Sequence, residues 1–170
     1  RRYVRSSLKA FIARKAAPLP DGSIAVCGTE IAPAGRVKGK RAYQPTAEVR
    51  KYRKDGKLDP AFASGGIYGY PHTTGSSDRC WGLTTFPHLT MLVHRGPSGT
   101  PGTLTAIRLT PLGAVDSSWG VGGMVELPNA TRPSGETGLQ PSASIEDASG
   151  RVLVASYGFD NNETYLIRAR

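Results

Sequence analysis

Apolar residues in this chain recur two apart, in short runs closed by turn residues. In Ile24-Ala25-Val26, Met91-Leu92-Val93 and Val152-Leu153-Val154 the outer two residues share one face of a strand. A tight turn precedes each run: Pro20-Asp21-Gly22, Pro87-His88-Leu89 and Ala148-Ser149-Gly150. Asp21-Gly22 and Ser149-Gly150 are hairpin signals, and His88-Leu89 is a degenerate copy of them. A polar stretch of variable length follows each run. A further strand carrying a basic residue then comes at 46–52, 103–109 and 164–169. The one stretch with helical character, Ser7 to Ala17, is stopped at once by Pro18 and Pro20.

A longer segment is also written twice. Leu58-Asp59-Pro60-Ala61-Phe62-Ala63-Ser64-Gly65-Gly66-Ile67 returns as Val115-Asp116-Ser117-Ser118-Trp119-Gly120-Val121-Gly122-Gly123-Met124. The register continues upstream without a gap, pairing Gly56 with Gly113, Tyr52 with Leu109 and Lys51 with Arg108. The unit is therefore strand, tight turn, strand, loop, strand, turn and short strand, with a period of roughly 57 to 67 residues. Four short strands at such a period predict an all-β chain of antiparallel four-stranded repeats, stacked as blades of a β-propeller. One such sheet cannot bury both of its faces alone. Phe62 and Trp119 are placed to wedge between successive sheets. Gly65-Gly66 and Gly122-Gly123 let the backbone turn with positive φ or pass close to the ring. Asp59 and Asp116 suit Asx-type turns.

The pattern resembles the delta-sixty repeat family, a bacterial β-propeller-like repeat. Pro20, Asp21, Gly22, Ile24, Val26 and Gly28 match its hairpin. Lys51, Asp55, Gly56, Leu58, Asp59, Phe62, Gly65 and Gly66 match its second segment. The next copy keeps Arg108, Gly113, Asp116, Trp119, Gly120, Gly122 and Gly123 but lacks the Asp before Gly113. The resemblance covers nearly the whole chain. It implies a scaffold in envelope or secreted proteins, with extracellular or cell-envelope location and no shared active site.

On this reading residues 1–5 are the last strand of a preceding blade. Blade one spans 6–70, blade two 71–127, and an incomplete blade three 128–170. About three blades make a partial wheel, since closed rings use about four to eight. Neighbouring blades are then expected from a longer chain or from a homo-oligomer.

Composition agrees with strands and turns: 21 Gly and 13 Pro among 170 residues. No apolar run approaches the about 20 residues of a membrane-spanning helix. The net charge of +9 is uneven: residues 1–57 carry 15 of the 22 Lys and Arg but only 4 of the 13 acids. A basic end attracts acidic polysaccharide, nucleic acid or an anionic membrane face. Arg36, Lys38, Lys40 and Arg41, in the expected loop 29–46, are the candidate contacts for an anionic partner. The loops 71–79, 96–102 and 128–142 belong to the same expected ligand rim, open to a protein or polysaccharide. Cys27 and Cys80 fall on one rim of neighbouring blades, as an inter-blade disulfide or as two buried thiols.

The three histidines, His72, His88 and His94, lack metal-ligand spacing. The glycine-rich Gly65–Tyr70 belongs to the repeat turn, and no nucleophile elbow or nucleotide loop is present. Phe159–Thr164 lacks the spaced oxygens of a calcium loop and reads as a hairpin turn. The expected function is a non-enzymatic scaffold or binding platform without cofactor or metal. Two alternatives stand beside it: an anion-binding module, and a non-catalytic part of a propeller hydrolase or lyase.

Overall fold

A computed structural model describes residues 10–37, 40–71, 77–95, 103–127, 139–158 and 164–169, though not the side chains of 37, 40–41, 139–142, 156–158 and 164–169. The described residues form eleven strands and no helix. They are β1 (Ala10–Pro18), β2 (Ile24–Val37), β3 (Lys40–Tyr52), β4 (Ile67–Gly69), β5 (Arg79–Thr84), β6 (Leu89–Arg95), β7 (Thr103–Leu109), β8 (Met124–Leu127), β9 (Leu139–Glu146), β10 (Val152–Gly158) and β11 (Thr164–Ala169). Each sheet joins strands that follow one another in sequence: β1-β2-β3-β4, β5-β6-β7-β8 and β9-β10-β11. All the pairings are antiparallel. No described helix is long and apolar enough to cross a membrane.

Several expectations are corrected. The helix-like stretch is a strand from Ala10 onward, paired from Ala10↔Ile31 to Pro18↔Ile24. Prolines at 18 and 20 leave too few turns for a stable helix, and the Asp21-Gly22 turn folds the segment directly onto β2. The expected loop 29–46 is mostly ladder, because the pairing of β2 with β3 runs on as an arm to Val37↔Lys40. Cys27 therefore lies inside β2 rather than at its end. Likewise 139–142 of the expected loop 128–142 open strand β9. Residues 1–5, 72–76, 96–102, 128–138 and 159–163 lie outside the described residues.

The middle sheet is buried on both faces. Met91 and Val93 pack with Ala25, Cys27, Ala47, Val49 and Phe62 of the first sheet. Leu92, pointing the other way, packs with Leu104, Ala106, Trp119, Val152 and Val154, the last two from the third sheet. The first strands meet one another: β5 lies against β1 on one side and β9 on the other. Phe62 and Trp119, 1% and 8% exposed, thus occupy the same place in successive interfaces.

The two long turns are superposable in their bonding. Asp59 N donates to Lys51 O (2.8 Å), Phe62 N to Asp59 O (3.0 Å) and Gly66 N to Phe62 O (2.7 Å). Asp116 N to Arg108 O (2.9 Å), Trp119 N to Asp116 O (3.1 Å) and Gly123 N to Trp119 O (2.8 Å) repeat the set. Ala61 N and Ser118 N donate to the Asp59 and Asp116 carboxylates, closing an Asx turn in each. Where one turn docks on the next sheet, Ala63 N donates to Leu112 O at 2.7 Å.

That contact sets up a controlled comparison. Gly56 and Gly113 share one register and nearly one conformation, φ +77° and +80°. A Cβ on Gly56 would meet nothing within 4 Å, whereas one on Gly113 would lie 2.8 Å from Ala63 N and 2.9 Å from the Phe62 ring. Both Gly→Ala changes cost the left-handed strain of about 1–2 kcal/mol. Gly113→Ala is expected to cost clearly more, because the Phe62 turn must also move off the second sheet. Urea unfolding of the two variants measures the difference, and equal losses would refute the docking contact.

Candidate functional site

At the turn end of the sheets, each basic repeat position is nearly buried: Lys51 is 8% exposed and Arg108 6%. A buried cation requires partners. Lys51 Nζ sits 2.9 Å from Asp21 and 3.1 Å from Asp59, which joins the short turn to the long turn within one sheet. Asp21 also accepts from the Ser23 hydroxyl and, at 2.9 Å, from Ser23 N. The Ser23 hydroxyl, then Lys51, hold the Asp21 carboxyl far below its ordinary range, and Lys51 lowers Asp59. Burial pushes the Lys51 ammonium down, but the two carboxylates outweigh it and leave it raised.

The second sheet solves the same problem with other residues. His88 stands where the short turn of the first sheet has Asp21, so Arg108 finds no acid there. Glu146 from β9 supplies it: its side chain is fully buried and accepts from Arg108 Nη2, from His88 Nδ1 at 2.7 Å and from Thr90 Oγ1 at 3.1 Å. Arg108 Nη2 and Trp119 Nε1 both donate to Gly150 O, at 3.0 and 3.2 Å. The Arg108 guanidinium lies 4.4 Å over the Trp119 ring. Asp116, unlike Asp59, turns to Ser118, whose hydroxyl and N–H lower its carboxyl. Glu146 gave no sequence signal, since it matches no repeat position. Only the lost acid at His88 hinted that a replacement was needed.

The opposite end carries the arm. Among the described residues, β2 has β1 beside it as far as Ile31 and beyond that is paired with β3, through Pro33↔Tyr43 and Arg36↔Arg41. Arg36 is exposed and Tyr43 is 53% exposed. Arg36, Lys40 and Arg41 thus fall together near the tip, while Lys38 and the side chains of Lys40 and Arg41 lie outside the described residues. Gly65 and Gly122 occupy matching turn positions with φ +62° and +60°, and Gly66 and Gly123 follow at +97° and +85°. Cys27 and Cys80 are joined as a disulfide between the first two sheets, their Cα atoms 6.0 Å apart.

The remaining candidates do not converge on a reactive centre. His94 sits in β6 beside Trp81, ring centroids 6.5 Å apart, and burial followed by Arg79 lowers its imidazole pKa. His72 and most of Phe159–Thr164 are outside the described residues. Among those described, no group of three or more His, Cys, Asp or Glu side chains is arranged to hold a metal ion. No family model, curated protein or solved structure matches the chain.

Two outcomes follow from the buried cations. Glu146→Gln leaves Arg108 without a counter-charge, so a loss of about 3–5 kcal/mol is expected in denaturant unfolding. A loss no greater than for an exposed Glu126→Gln control would contradict the network. For Lys51, the lowered acids contribute stability above their ordinary range, lost as pH falls through their folded pKa values. The raised ammonium contributes below its ordinary range, lost as pH rises through its own. The stability gap between wild type and Lys51→Met should therefore be widest near neutrality. It should shrink below about pH 4 and above about pH 10.4. Urea midpoints across pH test this, and a flat gap would show the cluster to be uncoupled from folding.

Proposed function

We propose that this chain is a non-enzymatic binding scaffold built from β-propeller-type repeats, and that its basic arm engages an anionic polymer. The first half rests on matching bonds in successive sheets and on the resemblance to delta-sixty repeats. The second rests on the arm, whose ladder carries Arg36, Lys40 and Arg41 past Ile31, with Lys38 beside them in the sequence. Residues 1–57 hold a net charge of +11 against −2 for the remainder. The arm's one aromatic, Tyr43, provides a single stacking surface. The contacts are therefore chiefly ionic, suited to a sulfated or carboxylated polysaccharide or to a phosphate backbone. The Cys27–Cys80 bridge supports an oxidising compartment, in keeping with an extracellular or envelope protein.

Heparin and duplex DNA serve as probes, each titrated at several salt concentrations. Binding should weaken steeply with salt. On DNA, the double variant Arg36→Gln, Arg41→Gln should lower the logarithmic slope by about 0.9 for each phosphate that is no longer neutralised. Binding that ignores salt, or an unchanged slope in the variant, would remove the arm from the interface.

A further inference from the structure

The first strands of the three sheets are the ones that meet, β5 lying between β1 and β9. Each carries one extra residue at the same place, opposite the fourth and fifth residues of its partner strand. Arg14 stands between Ala13↔Gly28 and Lys15↔Cys27, and Trp81 between Cys80↔Val93 and Gly82↔Leu92. Ser142 stands between Pro141↔Ser156 and Ala143↔Ala155, its side chain outside the described residues. Such a bulge interrupts the ladder and re-aims the extra side chain. The position recurs while its chemistry changes, from arginine to tryptophan to serine.

The first two of these side chains meet. The Arg14 guanidinium lies 5.0 Å from the centre of the Trp81 ring, within cation–π range. The ring stands edge-on to His94, which is paired in the ladder with Arg79. Trp81 Nε1 is buried without a hydrogen-bond partner among the described residues, so the ring is placed for its face and edge rather than for its N–H. Arg14 and Arg79 are both exposed, and neither is paired with an acid among the described residues. Stacking uses the flat face of a guanidinium and leaves the N–H donors in its plane open to an acceptor. Lys15 and Arg95 adjoin the row as further cations. Two acids stand nearby: Glu30 is 3.7 Å from Arg50, and Asp78 is fully buried.

We propose that the seam of the first strands is a binding site for a doubly charged oxyanion, the phosphate of a phosphate monoester. Trp81 holds the Arg14 guanidinium in place, and Arg14 and Arg79 give charge-assisted hydrogen bonds to the phosphate oxygens. Two unpaired cations match the two charges of the ligand. A singly charged anion leaves one of them unmatched, and a cationic ligand meets like charge. The bulge lies opposite Cys27 and Gly28, short of the arm that begins past Ile31, and does not depend on the arm's role.

The test uses the whole chain at low salt and about pH 8, where methyl phosphate is doubly charged and methyl sulfate, of the same shape, singly. The NMR signal of the Trp81 indole N–H reports occupancy, and that of Trp119 is the internal control. Methyl phosphate should shift the Trp81 signal saturably, with a dissociation constant on the order of 10 mM, and leave Trp119 in place. Methyl sulfate should bind about tenfold more weakly. Arg14→Gln and Arg79→Gln should each weaken methyl phosphate about tenfold. Lys57→Gln, which removes an exposed cation at the turn end, should leave it unchanged. Equal affinity for the two probes would overturn the dianion assignment. Undiminished affinity in either arginine variant, or no saturable shift at Trp81 in a chain whose other signals mark it as folded, would overturn the site itself.

Discussion

A sheet of four short strands has two faces, and in the middle sheet of this chain both are apolar. Met91 and Val93 point to one neighbour and Leu92, between them, to the other. Such a sheet is unstable in water until something covers each side. The covering elements are the first and third sheets, and the gap between layers is filled by one aromatic from each long turn. The rest of the turn follows from that requirement. The backbone must reverse tightly enough to present the ring inward, hence positive φ at Gly65, Gly66, Gly122 and Gly123. The close pass of Gly113 under Phe62 is another expression of it.

The two interfaces share this frame but lock it by different chemistry. Between the first and second sheets the lock is covalent, Cys27 to Cys80, and the buried Lys51 finds its acids inside its own sheet. Between the second and third sheets no such bridge occurs among the described residues. Arg108 there reaches across the interface to Glu146 and Gly150 while stacking on Trp119. One change in the short turn, His88 in the place of Asp21, connects these facts. Without an acid of its own, the second sheet takes one from the third. The ion pair thereby becomes an inter-sheet contact.

Features that obey a period were legible in the sequence, and features that arise from one particular contact were not. Strand pairing within each repeat, the placing of Phe62 and Trp119, and the Asx turns at Asp59 and Asp116 follow from residue type and spacing. The first strand was not legible, because Phe11, Ile12 and the alanines fit a helix as well as a strand. Only the partner β2 decides between them. The arm was hidden by its composition: Pro33, Gly35 and the cations suggest a loop, yet pairing with β3 carries the ladder to Val37. Ala63 shows a similar override. It adopts φ 45°, where its counterpart Gly120 has 58°, and its N–H is held by Leu112 O. A docking bond there supports a conformation that the residue type disfavours.

The outer face of the first sheet follows from the same register. Ile24, paired with Tyr52, corresponds to Leu89, paired with Leu109, and its place after the short turn is that of Val152; both are buried, yet Ile24 is 47% exposed. The neighbouring part of this face is closed by the chain itself. Phe11 lies so close over Gly28 that a Cβ there would fall 2.5 Å from the ring. The Arg50 guanidinium stacks 3.8 Å above that ring and pairs with Glu48 at 2.8 Å and Glu30 at 3.7 Å. On the second sheet the residues matching Arg50 and Glu48 are Ile107 and Thr105, both buried. Replacing an apolar contact by an aromatic and paired charges gives this half of the face a polar finish. The half around Ile24 keeps the apolar character of an interface. The first sheet therefore differs from the others by what covers it rather than by how it is folded, since its ladder, turns and inward face follow the common pattern.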